Sequence, residues 1–372
     1  MTCETLIIDY YSTNNYKYLI VKYKMSIPII RTPISCFEKI PLPGWVFGRP
    51  NYFTSQLFGS SIQMAYWIIE PHKRDTTAKE TILLTHGQPT WSYLNRRLVQ
   101  PLVNEGHRVI MFDQVGFGWS DKPLNIKDYT YQRHVAWNED LLINHLNLDN
   151  VTAVFQDWGG LIGLRVAARN PSRFSRLVLA NTILPTSCTD FEGVNYVSKG
   201  FYDWKKFSYD KKLAKPGQIG KLLGRGASGP SVEGGRLSTD EMNAYQAPFP
   251  DERFMSGVLS FPELVPTPTT DPTGRPQYEG SEENRAAWST FMQWSKPVLL
   301  AFAPEDPVLG SAHYIWREKC PACRNSKNID MIGGGHFVQD GCGHQLSKEI
   351  INFVNDNPVS DDLKTRYVIS KG

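Results

Sequence analysis

Nowhere in the chain does a serine have glycine both two residues before and two residues after it. The sequence therefore lacks the usual setting of a serine nucleophile raised on a strand-to-helix turn. It also lacks any apolar run long enough to span a bilayer. Residues 1–24 carry Asp, Glu and many Tyr and Asn, with no basic start, long apolar middle or small-residue cleavage site, which argues against a secretory signal. A more ordinary beginning follows at Met25-Ser26-Ile27-Pro28, and residues 1–28 are expected to be a variable extension. A net charge of +3 over 372 residues is too small to point to nucleic acid or an anionic membrane as partner.

Cysteine is scarce as well. Six in 372 residues do not make a disulfide scaffold. Cys320-Pro321-Ala322-Cys323 has the spacing of a redox pair or half a zinc site, and Cys342 and His344 could complete four ligands. Without a second CxxC or a histidine pair, unpaired thiols and a cytoplasmic location are the expectation. Gly116-Phe117-Gly118 lacks the third glycine of a dinucleotide loop. There are no internal repeats, and the Lys205-Lys206 and Lys211-Lys212 pairs read as solvated surface.

What is present is a globular composition, 41% hydrophobic against 21% charged, enough for a substantial core. Short apolar, β-rich runs recur at Thr81–Thr85, Val109–Phe112, Val151–Phe155, Arg176–Asn181, Pro297–Phe302 and, more weakly, Ile329–Ile332. Helix-like stretches separate them, such as Tyr93–Glu105 and Arg133–Leu146. This alternation predicts an α/β fold with a mostly parallel central sheet and helices on both faces. Continuously apolar strands fit burial on both sides. The rhythm stops after about Ile183 and resumes near Trp294, across an interval holding Gly, Pro and Ser clusters and many aromatics. A core of 29–183 and 294–358 is expected, with an inserted helical cap at 184–293 and a tail at 359–372. The cap would cover the carboxyl ends of the strands, where open α/β sheets bind ligands.

Asp157 is the most informative residue. It stands in Val154-Phe155-Gln156-Asp157-Trp158-Gly159-Gly160, between the third run and a helix-like stretch from Leu161 to Arg169. Many aspartates in that position only cap a helix. The glycine pair favours a strained turn that lifts the side chain. A lifted carboxylate suits attack on saturated carbon, because the resulting ester can be hydrolysed at its own carbonyl. Two further residues fit around it. His336 lies in the glycine-rich Gly333-Gly334-Gly335-His336-Phe337, and Asp306, with Glu305 as the alternative, follows the fifth run. Taken singly, a loop histidine and a turn aspartate are commonplace. Together they reproduce the nucleophile, acid, histidine order of the α/β-hydrolases, each at a strand end.

From about Ile30-Arg31-Thr32-Pro33 to Phe353 the sequence resembles the haloalkane dehalogenases. The resemblance is carried by His86-Gly87-Gln88-Pro89-Thr90-Trp91-Ser92-Tyr93, Gly116-Phe117-Gly118-Trp119-Ser120-Asp121-Lys122-Pro123, Gln156-Asp157-Trp158-Gly159-Gly160, Asn170-Pro171-Ser172-Arg173-Phe174 and Gly335-His336-Phe337-Val338-Gln339. It departs from the usual pattern at Phe155, where glycine is common. The resemblance implies an α/β-hydrolase fold in which Asp157 displaces halide, His336 activates water and Asp306 orients the imidazole. It implies halide donors at Trp158 and, from Phe201-Tyr202-Asp203-Trp204-Lys205, at Trp204. A related subgroup has Asn where this chain has Gln88, which places more of the halide site on Trp204. The oxyanion would rest on the backbone N–H groups of Gln88 and Trp158. Phe201 and Phe249 are expected to line an apolar pocket for a small halogenated substrate. No cofactor or metal is needed, and a monomer is expected.

Two rival readings remain at this level. An epoxide hydrolase would use the same three residues with cap tyrosines to protonate the opening oxygen, and Tyr196, Tyr202, Tyr209 and Tyr245 are available. A non-catalytic or luciferase-like protein on the same scaffold is the other. A complete acid–base set disfavours the non-catalytic case.

Overall fold

The apolar runs become neighbouring strands of one sheet. The computed structural model describes residues 5–13, 16–24, 27–71, 79–187, 197–210, 213, 215, 217–227, 236–324, 326 and 328–359. We number the strands of the main sheet β1 (Asn51–Ser55), β2 (Ile62–Ile69), β3 (Thr81–Leu84), β4 (Arg108–Phe112), β5 (Val151–Gln156), β6 (Phe174–Ala180), β7 (Val298–Phe302) and β8 (Asn328–Asp330). Their spatial order is β1-β2-β4-β3-β5-β6-β7-β8. From β4 to β8 all pairings are parallel, while β1 and β2 add an antiparallel edge. That edge is not anticipated from the sequence. Asn51-Tyr52-Phe53-Thr54-Ser55 is partly exposed and mixed in polarity, so it carries no continuous apolar signal.

The pleat explains why the parallel strands are apolar throughout. Successive side chains point to opposite faces, and each face is covered. Leu83, Ile110, Phe112, Ala153 and Phe155 enter one buried cluster. Ile82, Leu84, Val109, Met111 and Val154 enter the other. Truncating a fully buried strand residue such as Leu83 to Ala would cost about 2–5 kcal/mol.

Helices α1 (Arg96–Asn104), α2 (Tyr131–Glu139) and α3 (Asp157–Arg169) follow β3, β4 and β5. The helix expected to begin at Leu161 begins at Asp157 itself. Between β6 and β7 come α4 (Lys199–Tyr209), α5 (Thr239–Gln246), α6 (Ser256–Leu264) and α7 (Ser281–Phe291). A full capping box at Ser238 and Glu241 starts α5. The last of these helices, α7, packs on α3, and Trp288 donates to the carbonyl of Leu184 at 2.8 Å. It covers the sheet rather than the site.

Residues 1–4, 14, 15, 25 and 26 of the expected extension (1–28) lie outside the described residues, as does Tyr196. The backbone of Thr5–Thr13 and Tyr16–Lys24 forms an antiparallel hairpin separate from the main sheet. No helix among the described residues is long and apolar enough to cross a membrane.

Candidate active site

Asp157 is the first residue of α3 and has φ +47°, a left-handed conformation that costs a non-glycine residue about 1–2 kcal/mol. Its surroundings hold it there. Its N–H donates to the carbonyl of Asn181 at 3.0 Å, and its own carbonyl accepts from Thr182 Oγ1 at 2.9 Å. A Cβ on Gly159 would overlap Thr85, and one on Gly160 would overlap Thr182, so the turn needs both glycines. Phe155 is accommodated in place of the usual glycine because its ring lies over Gly163, where any side chain would collide with it. The side chain of Asp157 does not cap the helix. Its Oδ1 instead accepts from the backbone N–H of Gln88 at 2.8 Å, and the capping role is excluded.

The other strand ends bring the partners. His336 Nε2 lies 3.5 Å from Asp157 Oδ2, and its Nδ1 lies 2.9 Å from Asp306 Oδ2. The Asp306 carboxylate is fully buried and also accepts from the N–H of Val308 at 2.9 Å. Glu305, the alternative acid, is exposed and accepts from Gly333 N–H at 3.1 Å. Of the two acids, Asp306 is the one that meets the imidazole. Burial opposes a charge on His336, but the field of Asp306 and hydrogen bonds to Asp157 and Asp306 outweigh it, raising its pKa to about 10. The two carboxylates thus favour the protonated form of the imidazole between them.

Asp157, Trp158, His336, Gln88 and Trp204 all face one cavity of about 460 Å³. Its remaining wall is largely apolar, with Leu161, Ile183, Phe201, Phe207, Val265 and Leu309 among the residues that form it. Phe201 is thus where the sequence reading expects it, three residues before Trp204 on the same face of α4. Phe249 is not, and that expectation is corrected. The turn after α5, closed by Phe249 N–H to the carbonyl of Gln246 at 2.9 Å, sets its ring against Phe117, outside the cavity. Trp158 stacks on Phe261 of α6, ring centroids 4.5 Å apart. As the second residue of α3 it has no intrahelical acceptor for its backbone N–H, which suits an oxyanion donor.

No tyrosine among the described residues lines the cavity. Tyr245 is buried and donates to Asp340, and Tyr209 is exposed beneath Arg275. Cys320 and Cys323 are buried free thiols hydrogen-bonded to each other, and no His, Cys, Asp or Glu cluster among the described residues is placed to hold a metal ion.

Residues the sequence reading passes over hold the histidine loop in place. Asn181 Nδ2 donates to the carbonyls of Gly335 at 2.9 Å and His336 at 3.2 Å, and its Oδ1 accepts from Ala303 N–H at 2.9 Å. Gln156 Nε2 also donates to the His336 carbonyl, at 3.0 Å. The available signal is a polar residue at the end of an apolar strand, which Asn181 and Gln156 both are.

A parallel sheet with a carboxylate on the turn after its central strand, and an acid and a histidine after later strands, defines an α/β-hydrolase. Comparison with known proteins agrees. A family model described as alpha/beta hydrolase fold matches residues 80–341. A haloalkane dehalogenase of Psychrobacter cryohalolentis is 38% identical over 330 residues, covering 89% of this chain and 99% of that protein. Another, of Mycolicibacterium paratuberculosis, is 39% identical over 272 residues, covering 73% and 82%. The tetrameric structure of a haloalkane dehalogenase from Paraglaciecola agarilytica superposes with a TM-score of 0.71 at 28% identity, covering 87% and 97%. The chain belongs to the haloalkane dehalogenase family.

Proposed function

We propose that this protein hydrolyses carbon–halogen bonds of small apolar haloalkanes through an alkyl ester on Asp157. The observation that carries the reading is the position of Asp157 Oδ2, 3.5 Å from His336 Nε2 and at the wall of an apolar cavity of about 460 Å³. Its partner oxygen, Oδ1, is already held by the Gln88 N–H, which leaves Oδ2, on the His336 side, as the attacking oxygen. Attack by Oδ2 on the halogen-bearing carbon forms the ester and releases halide. The indole N–H groups of Trp158 and Trp204 stabilise the growing negative charge, where dry surroundings make preorganised donors count most.

The raised pKa of His336 then becomes part of the mechanism. Esterification neutralises Asp157 and removes one of the two carboxylates that hold the imidazole protonated. The pKa falls, the cation gives its proton to solvent, and the neutral ring takes a proton from water as that water attacks the ester carbonyl and passes it to the alcohol oxygen as the ester bond breaks. Asp306 orients the ring and stabilises the cation that re-forms. The oxyanion forms on Oδ1, on the N–H of Gln88 and the adjacent N–H of Trp158. Each such donor is worth about 3 kcal/mol in other hydrolases.

Phe201 shapes the cavity, and nothing in this sequence of steps needs a cofactor. Four described cysteines, Cys36, Cys320, Cys323 and Cys342, are unlinked, which supports a cytoplasmic location. The monomer expected from sequence is tested by light scattering, since one similar structure is a tetramer.

One assay separates the chemical readings. Incubation with 1-bromobutane, 1,2-dibromoethane and styrene oxide should release bromide from the first two and no diol from the third. In heavy-oxygen water, a single turnover should return an alcohol carrying the enzyme's oxygen, and the label should appear in Asp157. Label passing straight into the alcohol would rule out the ester.

A further inference from the structure

Gln88 acts through separate atoms. Its backbone N–H serves Asp157, as described above. Its carboxamide bridges two cap helices. Nε2 donates to the carbonyl of Val258 in α6 at 2.8 Å, and Oε1 accepts from the indole Nε1 of Trp204 in α4 at 3.0 Å. The residue is only 4% exposed, so water does not compete for either contact.

This arrangement is directional. An amide can exchange its oxygen and nitrogen by turning half a revolution, but here neither neighbour permits it. The Val258 carbonyl only accepts and the indole N–H only donates. A turned amide would set oxygen against oxygen and N–H against N–H. Gln88 therefore cannot present its NH₂ to an anion beside Trp204 without losing both bonds. An indole also has a single N–H, which serves one strong acceptor at a time. The two tryptophans of the site thus differ. The N–H of Trp158 has no protein acceptor among the described residues, while that of Trp204 is already taken.

We propose that Gln88 Oε1 is an internal occupant of the halide seat at Trp204, which the leaving halide must displace and which reclaims the indole as halide departs. The inference rests on the reading of Trp158 and Trp204 as halide donors. A neutral carbon-bound halogen is a weak acceptor and leaves the amide in place. A halide carrying nearly full charge takes the N–H from it. The exchange therefore occurs as charge develops, so the donor contributes more to the transition state than to substrate binding. Displacement also leaves a buried Oε1 without its donor, which weakens retention of the product halide.

The test is bromide titration of the full chain, followed by tryptophan fluorescence quenching, with halide release followed on rapid dilution. Gln88→Met keeps the backbone N–H and removes the acceptor. It should bind bromide about five-fold more tightly, the worth of one buried neutral hydrogen bond, and release it correspondingly more slowly. The gain should vanish when Gln88→Met is made in a Trp204→Phe background, a coupling that a merely structural role for Gln88 would not produce. Gln88→Glu, which puts a lasting negative charge in the same place, should bind bromide more weakly at neutral pH. The proposal is overturned if Gln88→Met binds bromide no more tightly than the unmodified protein, if it gains equally without Trp204, or if Gln88→Glu binds as tightly or more so. Absence of any quenching in the unmodified protein would remove the halide site itself, and the proposal with it. Quenching that Trp204→Phe weakens but Gln88→Met does not strengthen would remove the role of Gln88 alone.

Discussion

Two of the groups of charged side chains buried in this protein differ in how fully their charges are matched. Around α1, Arg96 and Arg97 face Glu241 of the cap and Asp340, two cations against two carboxylates. Arg96 lies 2.7 Å from Glu241 and 2.6 Å from Asp340, with the Tyr93 ring 4.2 Å from its guanidinium carbon and Tyr245 donating to Asp340. Burial works against the Arg96 charge, but its carboxylate and tyrosine neighbours hold its pKa well above the ordinary value. Around His336 the balance is one cation against two carboxylates, and the nearer contact goes to Asp306 rather than to the nucleophile. The balanced cluster has no charge left over, and it joins core to cap. The unbalanced one leaves a carboxylate oxygen beside an apolar cavity. Incomplete matching, and not burial as such, separates a reactive charge from a structural one.

The comparison can be broken at its reactive end first. Asp157→Asn should lower halide release by more than about 10⁴-fold while the circular dichroism spectrum stays the same, because only the nucleophile is lost. Next, His336→Gln should slow ester hydrolysis by about 10³-fold and leave the alkyl adduct visible as added mass on the protein. Normal turnover by that variant would remove His336 as the base. At the structural end, Arg96→Met leaves two buried carboxylates short of a cation. It should cost about 3–5 kcal/mol in urea unfolding while turnover per folded molecule changes little. A large loss of turnover with unchanged stability would reverse the distinction.

The smallest effect sharpens the electrostatic argument. The folded pKa of His336, about 10, lies above its unfolded value of about 6.5. The stabilisation from its cation is therefore complete below about pH 6.5 and is lost as pH rises from there through about 10. Asp157→Asn removes one of the two carboxylates. It should lower the imidazole pKa seen by NMR and flatten the stability loss in that window. An unmoved pKa would mean that Asp306 alone sets it, and that ester formation does not ready the base.

Parts of this molecule are legible in the chain because they depend on local, repeating causes. A strand buried on both faces must be apolar at every position, so β3 to β7 show as runs. The partly exposed edge strand β1, of mixed polarity, does not. Asp157 is conspicuous because a carboxylate between a strand and a Gly-Gly helix start has few structural uses. Phe201 and Phe249 look equivalent as aromatic cap residues, yet one lines the cavity and the other packs on Phe117. Only the direction of each chain segment separates them. Glu305 and Asp306 are adjacent acids, and a single residue's turn of backbone decides which meets the imidazole. Asn181 and Gln156 act through carbonyls of a loop more than 150 residues away, and no local pattern records that.

By itself the sequence determined the alternation of strands and helices, and it set candidates for nucleophile, acid and base in that order after the apolar runs, since side-chain chemistry at a strand end suggests each. Only the tertiary structure decided which acid is buried against His336, which aromatics meet substrate, and that Gln88 already engages Trp204. Those outcomes depend on where side chains from distant segments point, and packing sets that direction in three dimensions.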